Sequence, residues 1–262
     1  MKKYFKLYKK FFKVNLMKSL AYRKNFLLGM FLVCVESIAV LLTVSIIFNH
    51  IGNISGWGYH DTLVLTGIFM LTHAFAWLFY KGGVNQLDML INKGDLDWLL
   101  VKPVDTQFLV SCSRIDVEDS ARSFVGIPVM IYGLSGSSMF ESLLLLPVFI
   151  FTFLCGQIVL YNINLLFKTI SFKSIQGWAT NSIFWRFHDL ARFPTDIYKG
   201  ALKAIYTFVF PLIFIATVPA KALLGNITVP LILGSALAAL ISTLITRYVW
   251  KKALKTYSSA SS

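Results

Sequence analysis

Long apolar runs alternate with short polar and basic segments along the 262 residues of this chain. At about 1.5 Å per helical residue, a run of roughly 20 apolar residues crosses a bilayer. Four runs meet this length or come close to it: residues 26–48, 63–80, 143–167 and 229–250. Two less regular runs, 104–134 and 204–218, contain charges or prolines. The pattern predicts an all-α polytopic membrane protein with six transmembrane helices and both termini in the cytoplasm.

The composition agrees with a membrane protein and excludes an ordinary soluble domain. Hydrophobic residues make up 56% of the chain and charged residues only 14%, whereas about a quarter of a soluble domain is charged. The net charge of +13 comes from basic residues that flank the apolar runs, as the positive-inside rule expects. In this layout only Lys221 lies in an external segment. We therefore expect lipid contacts and no nucleic-acid partner.

The layout divides the chain into three parts. Residues 1–24 precede the first span, residues 25–256 form one six-helix membrane domain, and residues 257–262 form a disordered tail. The glycine-rich segment 49–61 has no lysine or arginine and is predicted to be external, whereas 81–103 and 168–203 are predicted to be cytoplasmic.

The first part predicts an amphipathic helix that lies in the membrane interface. Aromatic side chains share one side of the helical projection and lysines share the other. The predicted interface residues are Tyr4, Tyr8 and Phe11 toward the acyl chains, and Lys2, Lys6 and Lys9 toward anionic headgroups. The alternative is a basic flank that only fixes orientation.

Several ionisable residues lie at predicted membrane depth. Glu36 in the first span needs a partner, and it either contacts protons or substrate or makes an interhelical hydrogen bond. His73 lies in the second span. In the third span Arg114, Glu118 and Arg122 are spaced four apart, which predicts a ladder of ion pairs on one helix face. Such a stripe forms either an interface with a second subunit or the inner wall of a substrate path.

Motifs for chemistry are scarce. The chain has no Gly-x-x-x-x-Gly-Lys-Ser/Thr phosphate loop and no zinc motif, so any ATP hydrolysis must take place on another chain. Asp116 and Asp119, three apart, faintly resemble the paired aspartates with which membrane transferases bind Mg²⁺ and diphosphate. This leaves a membrane-embedded transferase as a remote alternative.

The segment 92–103 is a polar hinge followed by a short amphipathic turn. Gly94 suits the left-handed conformation that ends a helix, Asp95 is a good N-cap for the next one, and Pro103 ends the turn. The residues predicted to form a functional element are Gly94, Asp95, Leu96, Asp97, Trp98, Leu99, Leu100, Lys102 and Pro103.

This segment resembles the Gly-x-Leu-(Asp/Glu)-x-Leu-Leu-x-x-Pro loop of ABC-2 type transporter permeases, and the Phe-Pro-x-x-Ile-Tyr run at 193–198 resembles one subgroup of them. The resemblance implies a cytoplasmic coupling helix, within the loop 81–103 between spans two and three, that contacts an ABC ATPase. By this interpretation Asp95, Asp97 and Lys102 face the ATPase, and Trp98, Leu99 and Leu100 anchor the turn.

The resemblance also implies the assembly. Two permease chains, identical or paralogous, would combine with two ATPase subunits in a bacterial cell membrane to form an exporter. ATP and Mg²⁺ would bind to the ATPase, and this chain would bind no cofactor. A re-entrant turn would lie on the outer side within 219–228. The main alternative is an ion- or proton-coupled secondary transporter that uses Glu36 and His73.

Overall fold

The structure is a computed structural model that describes residues 2–136, 143–172, 182, 184–186 and 188–257. Within these residues the chain is helical and contains no strand beyond the single antiparallel bridge between Ile54 and Trp57. The α-helices are α1 Lys2–Ala21, α2 Arg23–His50, α3 Tyr59–Ala76, α4 Gly82–Asn85, α5 Leu87–Asn92, α6 Leu96–Leu100, α7 Thr106–Cys112, α8 Arg122–Leu134, α9 Leu146–Thr169, α10 Gly200–Ala204, α11 Thr217–Leu223 and α12 Val229–Lys255. The π-helical turns Trp77–Lys81 and Ile205–Val209 follow α3 and α10 directly.

Four long apolar helices confirm the predicted first, second, fourth and sixth spans. Those long and apolar enough to cross a membrane are Arg23–His50, Tyr59–Asn92, Leu146–Phe172 and Val229–Lys255. A bent pair of short helices would bring the number to five if it counted as one span. The second of these runs ends beside α6, and we call this end of the bundle the α6 end. The opposite end is marked by Trp57, just before α3.

The prediction of one continuous helix over 104–134 is wrong. Helix α7 ends at Cys112, a 3₁₀ turn covers Glu118–Ala121, and α8 begins only at Arg122. Between the two helices Arg114 Nε donates to Asp116 Oδ1 at 3.0 Å. A pair two residues apart cannot meet on a helix surface, so this local ion pair competes with continuation of α7.

Helix α8 packs backbone to backbone on α3 because glycines face each other where the helices meet. A Cβ atom added to Gly67 would lie 2.6 Å from the carbonyl oxygen of Gly126, and one added to Gly133 would lie 2.7 Å from the backbone nitrogen of Val64. Only glycine permits so close an approach at these positions. The contact fixes α8 against the half of the second span that is nearer Trp57.

The prediction that 168–203 lies wholly in the cytoplasm is wrong. Lys168 binds Asp88 of α5 at the α6 end. In contrast, Asp196 accepts a hydrogen bond from Trp57 Nε1 at 3.1 Å at the opposite end. Between them Phe184 is buried in the largest cluster of buried apolar side chains, which includes Phe69 and Leu160. The aromatic residues around it offer more apolar contact than a membrane surface would. The chain therefore passes through the bundle before residue 196.

The predicted fifth span, 204–218, is also wrong as one straight helix. Gly200–Val209 and Leu212–Leu223 meet at an angle of 69°, next to Pro211, which cannot donate a backbone hydrogen bond. Lys203, near the start of the pair, lies 4.0 Å from Asp196, and Lys221, near its end, lies 2.7 Å from Asp196. Both ends of the pair thus lie at the Trp57 end. The pair forms a re-entrant hairpin, larger than the turn expected at 219–228.

This placement adds an exception to the charge count. Lys203 joins Lys221 at the Trp57 end, where both face Asp196. Burial by itself would raise the pKa of Asp196, but the hydrogen bonds from Lys221 and Trp57 outweigh burial and lower the pKa. The ammonium groups of the two lysines are therefore compensated by a carboxylate of the same chain, although they lie at the end where the charge rule expects few basic residues.

Candidate functional site

The hinge before α6 has the predicted backbone. Gly94 has φ +74°, which confirms the left-handed position, and its amide donates to the carbonyl of Ile91 at 3.2 Å at the end of α5. Helix α6 then runs over Leu96–Leu100, as predicted. Asp95 is already helical and caps nothing with its side chain, so its predicted role as a side-chain N-cap is wrong.

Leu96 attaches α6 to the bundle. Its side chain is 0% exposed, and Leu99 packs partly against the same cluster. The buried residues of this cluster, which we call the α6 core, are Val84, Leu87, Ile91, Leu96, Val110, Leu165 and Trp250. They come from α4, α5, α6, α7, α9 and α12, so one leucine contacts a core shared by spans two, four and six.

The predicted anchors Trp98 and Leu100 lie on the other side of α6. Trp98 is 74% exposed and Leu100 is 38% exposed. Because residues two apart point away from each other on a helix, burial of Leu96 turns Trp98 outward. Trp98 and Leu100 therefore do not attach α6 to the bundle, whereas Leu96 does; anchoring of the turn by Trp98 and Leu100 against another surface stays a prediction.

Around Trp98 the loop offers a mixed surface. Val101 is 76% exposed, Asp95, Lys102 and Pro103 are exposed, and Asp97 is half-buried. The backbone oxygen of Pro103 accepts a hydrogen bond from Lys3 Nζ at 2.9 Å. Contact of these residues with an ATPase stays a prediction.

Helix α1 is confirmed as a helix, and its tyrosines contact protein. The Tyr8 hydroxyl donates to the carbonyl of Leu78 at 3.1 Å, and its ring stacks on Phe79 with centroids 5.6 Å apart. Tyr4 meets Phe108 edge-on at 4.8 Å. Burial raises the pKa of Tyr8 to about 12, so its hydroxyl remains a donor.

The remaining interface residues of α1 face outward or sit at the margin. Lys2, Lys6 and Lys9 are exposed, and Phe11 is half-buried. The lysines can therefore reach anionic headgroups, whereas Tyr4 and Tyr8 fix α1 to the second span and α7. Lipid binding by these residues stays a prediction.

Helix α7 is held to the last span by an arginine. Arg247 of α12 binds the carboxylate of Asp105 and donates to Gln107 Oε1 at 2.8 Å. Asp105 also caps α7 by accepting from the amide of Phe108 at 3.1 Å. The hydrogen bond from Arg247 lowers the pKa of Asp105, because it stabilises the charged carboxylate.

The predicted ladder of Arg114, Glu118 and Arg122 does not form, because the helix is broken between Cys112 and Arg122. Arg122 is instead 12% exposed and pairs with Glu36 of α2 at 2.8 Å and with Asp119 at 3.1 Å. Glu36 thus has the partner that its depth requires, although its side chain remains 63% exposed.

The two aspartates of the transferase alternative are each paired with an arginine. Asp116 binds Arg114 and Asp119 binds Arg122, so each carboxylate already has a cationic partner. Glu118 lies against Gly29 of α2, where an added Cβ atom would be 3.2 Å from its carboxylate. This arrangement disfavours a shared Mg²⁺ ion.

Two buried polar side chains were missed by the sequence reasoning. Lys81, expected in the cytoplasm, is buried, with Nζ 3.4 Å from the ring centroid of Trp185 and 4.4 Å from that of Trp77. His188, in the stretch expected at the surface, is buried beside His73. A lysine directly after an aromatic-rich span was the available signal for the first.

Apolar helices of membrane-crossing length, packed around cores that join them, define this chain as a multi-pass membrane protein. The family described as ABC-2 family transporter protein matches residues 34–261. The chain therefore belongs to this family and is an ABC transporter permease. The match begins within α2, so α1 lies outside the matched region. No curated protein matches the sequence significantly.

Proposed function

We propose that this chain is the membrane-spanning subunit of an ATP-driven exporter, and that α6 transmits the movement of separate ATPase subunits to the spans. The family supports transport, and the absence of a phosphate loop in the sequence assigns ATP and Mg²⁺ to another chain. The observation that carries the proposal is the two-sided character of α6, buried through Leu96 and exposed through Trp98.

The exposed side of α6 suits a protein partner. Trp98 and Val101 both leave most of their apolar surface uncovered beside Asp95 and Lys102. A central aromatic side chain within a polar rim is typical of a binding hot spot. An ATPase surface with a pocket for the indole would bury this side chain.

The buried side of α6 suits the transmission of force. Displacement of Leu96 acts on the α6 core, and through Leu165 and Trp250 it reaches the fourth and sixth spans. Closely packed side chains resist compression, so a push on α6 moves these helices together. Transport then follows from rearrangement of two such bundles around the cargo.

A second permease chain fits the uncovered surface of α2. Among the four long helices α2 has the smallest buried share of its most apolar stretch, 11%, against 17% for α12 and 67% for the second span. We propose that α2, including Glu36, meets lipid and a second permease chain, identical or paralogous. Two permeases and two ATPases would complete the exporter in a bacterial cell membrane.

The first test measures binding of the ATPase. The chain is co-expressed with the ATPase encoded beside it, and capture and permease-stimulated hydrolysis are compared for Trp98→Ala, Asp95→Lys and Asp97→Lys. We expect each variant to lose both. Phe124→Ala, which removes an aromatic side chain 69% exposed on α8, is the matched control. Full capture and hydrolysis by the Asp95→Lys/Asp97→Lys double variant would refute the role of α6.

The second test locates α6 relative to the membrane. Cys34, Cys112 and Cys155 are replaced by serine or alanine, and a cysteine is introduced at position 95. An impermeant maleimide should label it in inside-out vesicles and not in intact cells. Labelling in intact cells would place α6 outside and end the proposal.

A further inference from the structure

Two histidines lie side by side at the second span, and an exposed aspartate adjoins them. His73 of α3 and His188 lie with ring centroids 4.7 Å apart at an interplanar angle of 67°. Asp189 follows His188, and one donor atom from each of the three residues lies within 4.8 Å of the other two. The second span and the segment after α9 thus bring three metal-ligating side chains together.

The ring nitrogens of this cluster lack hydrogen-bond partners. His73 Nδ1 and both ring nitrogens of His188 are buried and unpaired, and the whole of His188 is 0% exposed. The carboxylate of Asp189 is 3.7 Å from His188 Nδ1, beyond hydrogen-bond distance. Each buried unpaired polar group costs about 1–3 kcal/mol. Three in one place indicate a ligand that pairs them.

From this geometry we propose that His73, His188 and Asp189 bind one transition-metal ion of the zinc type. Neutral imidazole nitrogen is a preferred ligand of Zn²⁺, and two histidines with one carboxylate form a common zinc ligand set with a fourth position open. Bonds of about 2.1 Å in a tetrahedron separate the ligand atoms by roughly 3.4 Å. The observed separations therefore need side-chain shifts of only about 1 Å.

The surroundings affect the affinity of the site. Phe69 stacks on His188 at 5.1 Å, and Trp185 lies 5.0 Å from it, so the histidine side of the site is aromatic, whereas the side chain of Asp189 is 53% exposed and gives access from outside. The ammonium of Lys81 lies over Trp185 and repels a dication, whereas the Asp189 carboxylate attracts it. Neutralising Lys81 should therefore strengthen metal binding.

Metal binding would have a structural consequence. His73 belongs to the second span, and His188 belongs to the segment that runs from the α6 end toward Asp196. A metal ion would join these two elements across the bundle and fix the approach to the re-entrant hairpin. The site needs no ATPase, so its test is independent of the proposed export function.

The test uses the full chain in detergent, purified without a polyhistidine tag, with Zn²⁺ and Co²⁺ as probes. We expect one metal ion per chain and a visible Co²⁺ absorption band. His73→Gln and His188→Gln should each weaken Zn²⁺ affinity by on the order of 100-fold or more, and Lys81→Met should strengthen it. His60→Gln is the matched control, because His60 also has a buried, unpaired Nδ1 atom.

A measurement on the unaltered chain guards against variants that fail to fold. X-ray absorption of the Zn²⁺-loaded protein should show two imidazole ligands and oxygen. A shell of oxygen alone, or one that contains sulfur, would overturn the proposal. So would sub-stoichiometric binding, unchanged affinity in His73→Gln, or equal loss in His60→Gln.

Discussion

Replacement of Leu96 by alanine tests whether α6 is attached through a single side chain. Leu96 is 0% exposed within the α6 core, and truncating a buried leucine costs about 2–5 kcal/mol. Helix α6 has only five residues, closed by the Val101 amide donating to the Asp97 carbonyl at 3.3 Å. So short a helix has little stability of its own. The lost free energy should therefore lower the cost of detaching α6 from the bundle.

The size of the effect follows from this free energy. A cost of about 2–5 kcal/mol raises the population of detached α6 by roughly 30-fold to several thousand-fold, since each 1.4 kcal/mol is about a factor of ten. Hydrogen exchange followed by mass spectrometry on the peptide 94–103 should show faster exchange by a factor in this range. Stimulation of the partner ATPase should fall in parallel, although Trp98 is untouched.

Leu100→Ala is the matched control, because it makes the same chemical change in the same helix at a side chain 38% exposed. We expect exchange of the 94–103 peptide to change by much less than in Leu96→Ala. Equal acceleration in both variants would show that the buried attachment does not hold α6. Fast exchange of the 94–103 peptide in the unaltered chain would also refute attachment of α6 through Leu96.

Three further predictions concern the bundle. Gly83→Ala should abolish recovery of folded, monodisperse protein in size-exclusion chromatography, because a Cβ atom at this position would lie 2.3 Å from two carbonyl oxygens of α7. Gly52→Ala is the control and should be neutral, because a Cβ atom there would have no other atom within 4 Å. Arg122→Gln should lower the unfolding temperature in thermal denaturation, since it leaves the half-buried carboxylate of Asp119 without its cationic partner. Arg247 lowers the pKa of Asp105, so the charged carboxylate stabilises the folded chain at pH values above its ordinary pKa. This stabilisation is lost as the pH falls through the lowered pKa. Asp105→Asn should therefore make the unfolding temperature less sensitive to acid.

The sequence predicts what depends on local pattern. The long helices at Arg23–His50, Leu146–Phe172 and Val229–Lys255 follow from long, predominantly apolar runs. The left-handed Gly94 and the short helix after it follow from the residue types that end and begin helices. Each of these features is decided within a few turns of the chain.

The larger errors involve contacts that the local pattern does not reveal. The break after Cys112 leaves Arg122 paired with Glu36, 86 positions away, and not with Glu118 on the same helix face. The re-entrant hairpin is recognised only because Lys203 and Lys221 share Asp196. Hydrophobicity alone cannot distinguish a helix that crosses the membrane from a pair that enters and returns at the same end.

The position of Leu96 changes which helices a push on α6 reaches. A loop between spans two and three suggests that force enters those two helices, yet the long spans in the α6 core besides the second are the fourth, through Leu165, and the sixth, through Trp250. The third span meets this core only through Val110 of α7, and α7 ends at Cys112, before the break. Under the proposed coupling, a rigid displacement of α6 would therefore act on α9 and α12, whose contacts with each other include Asn162 Nδ2 donating to Thr243 Oγ1 at 2.9 Å. If those helices moved as proposed, the irregular stretch before Arg122 would let α8 keep its glycine-mediated contact with α3.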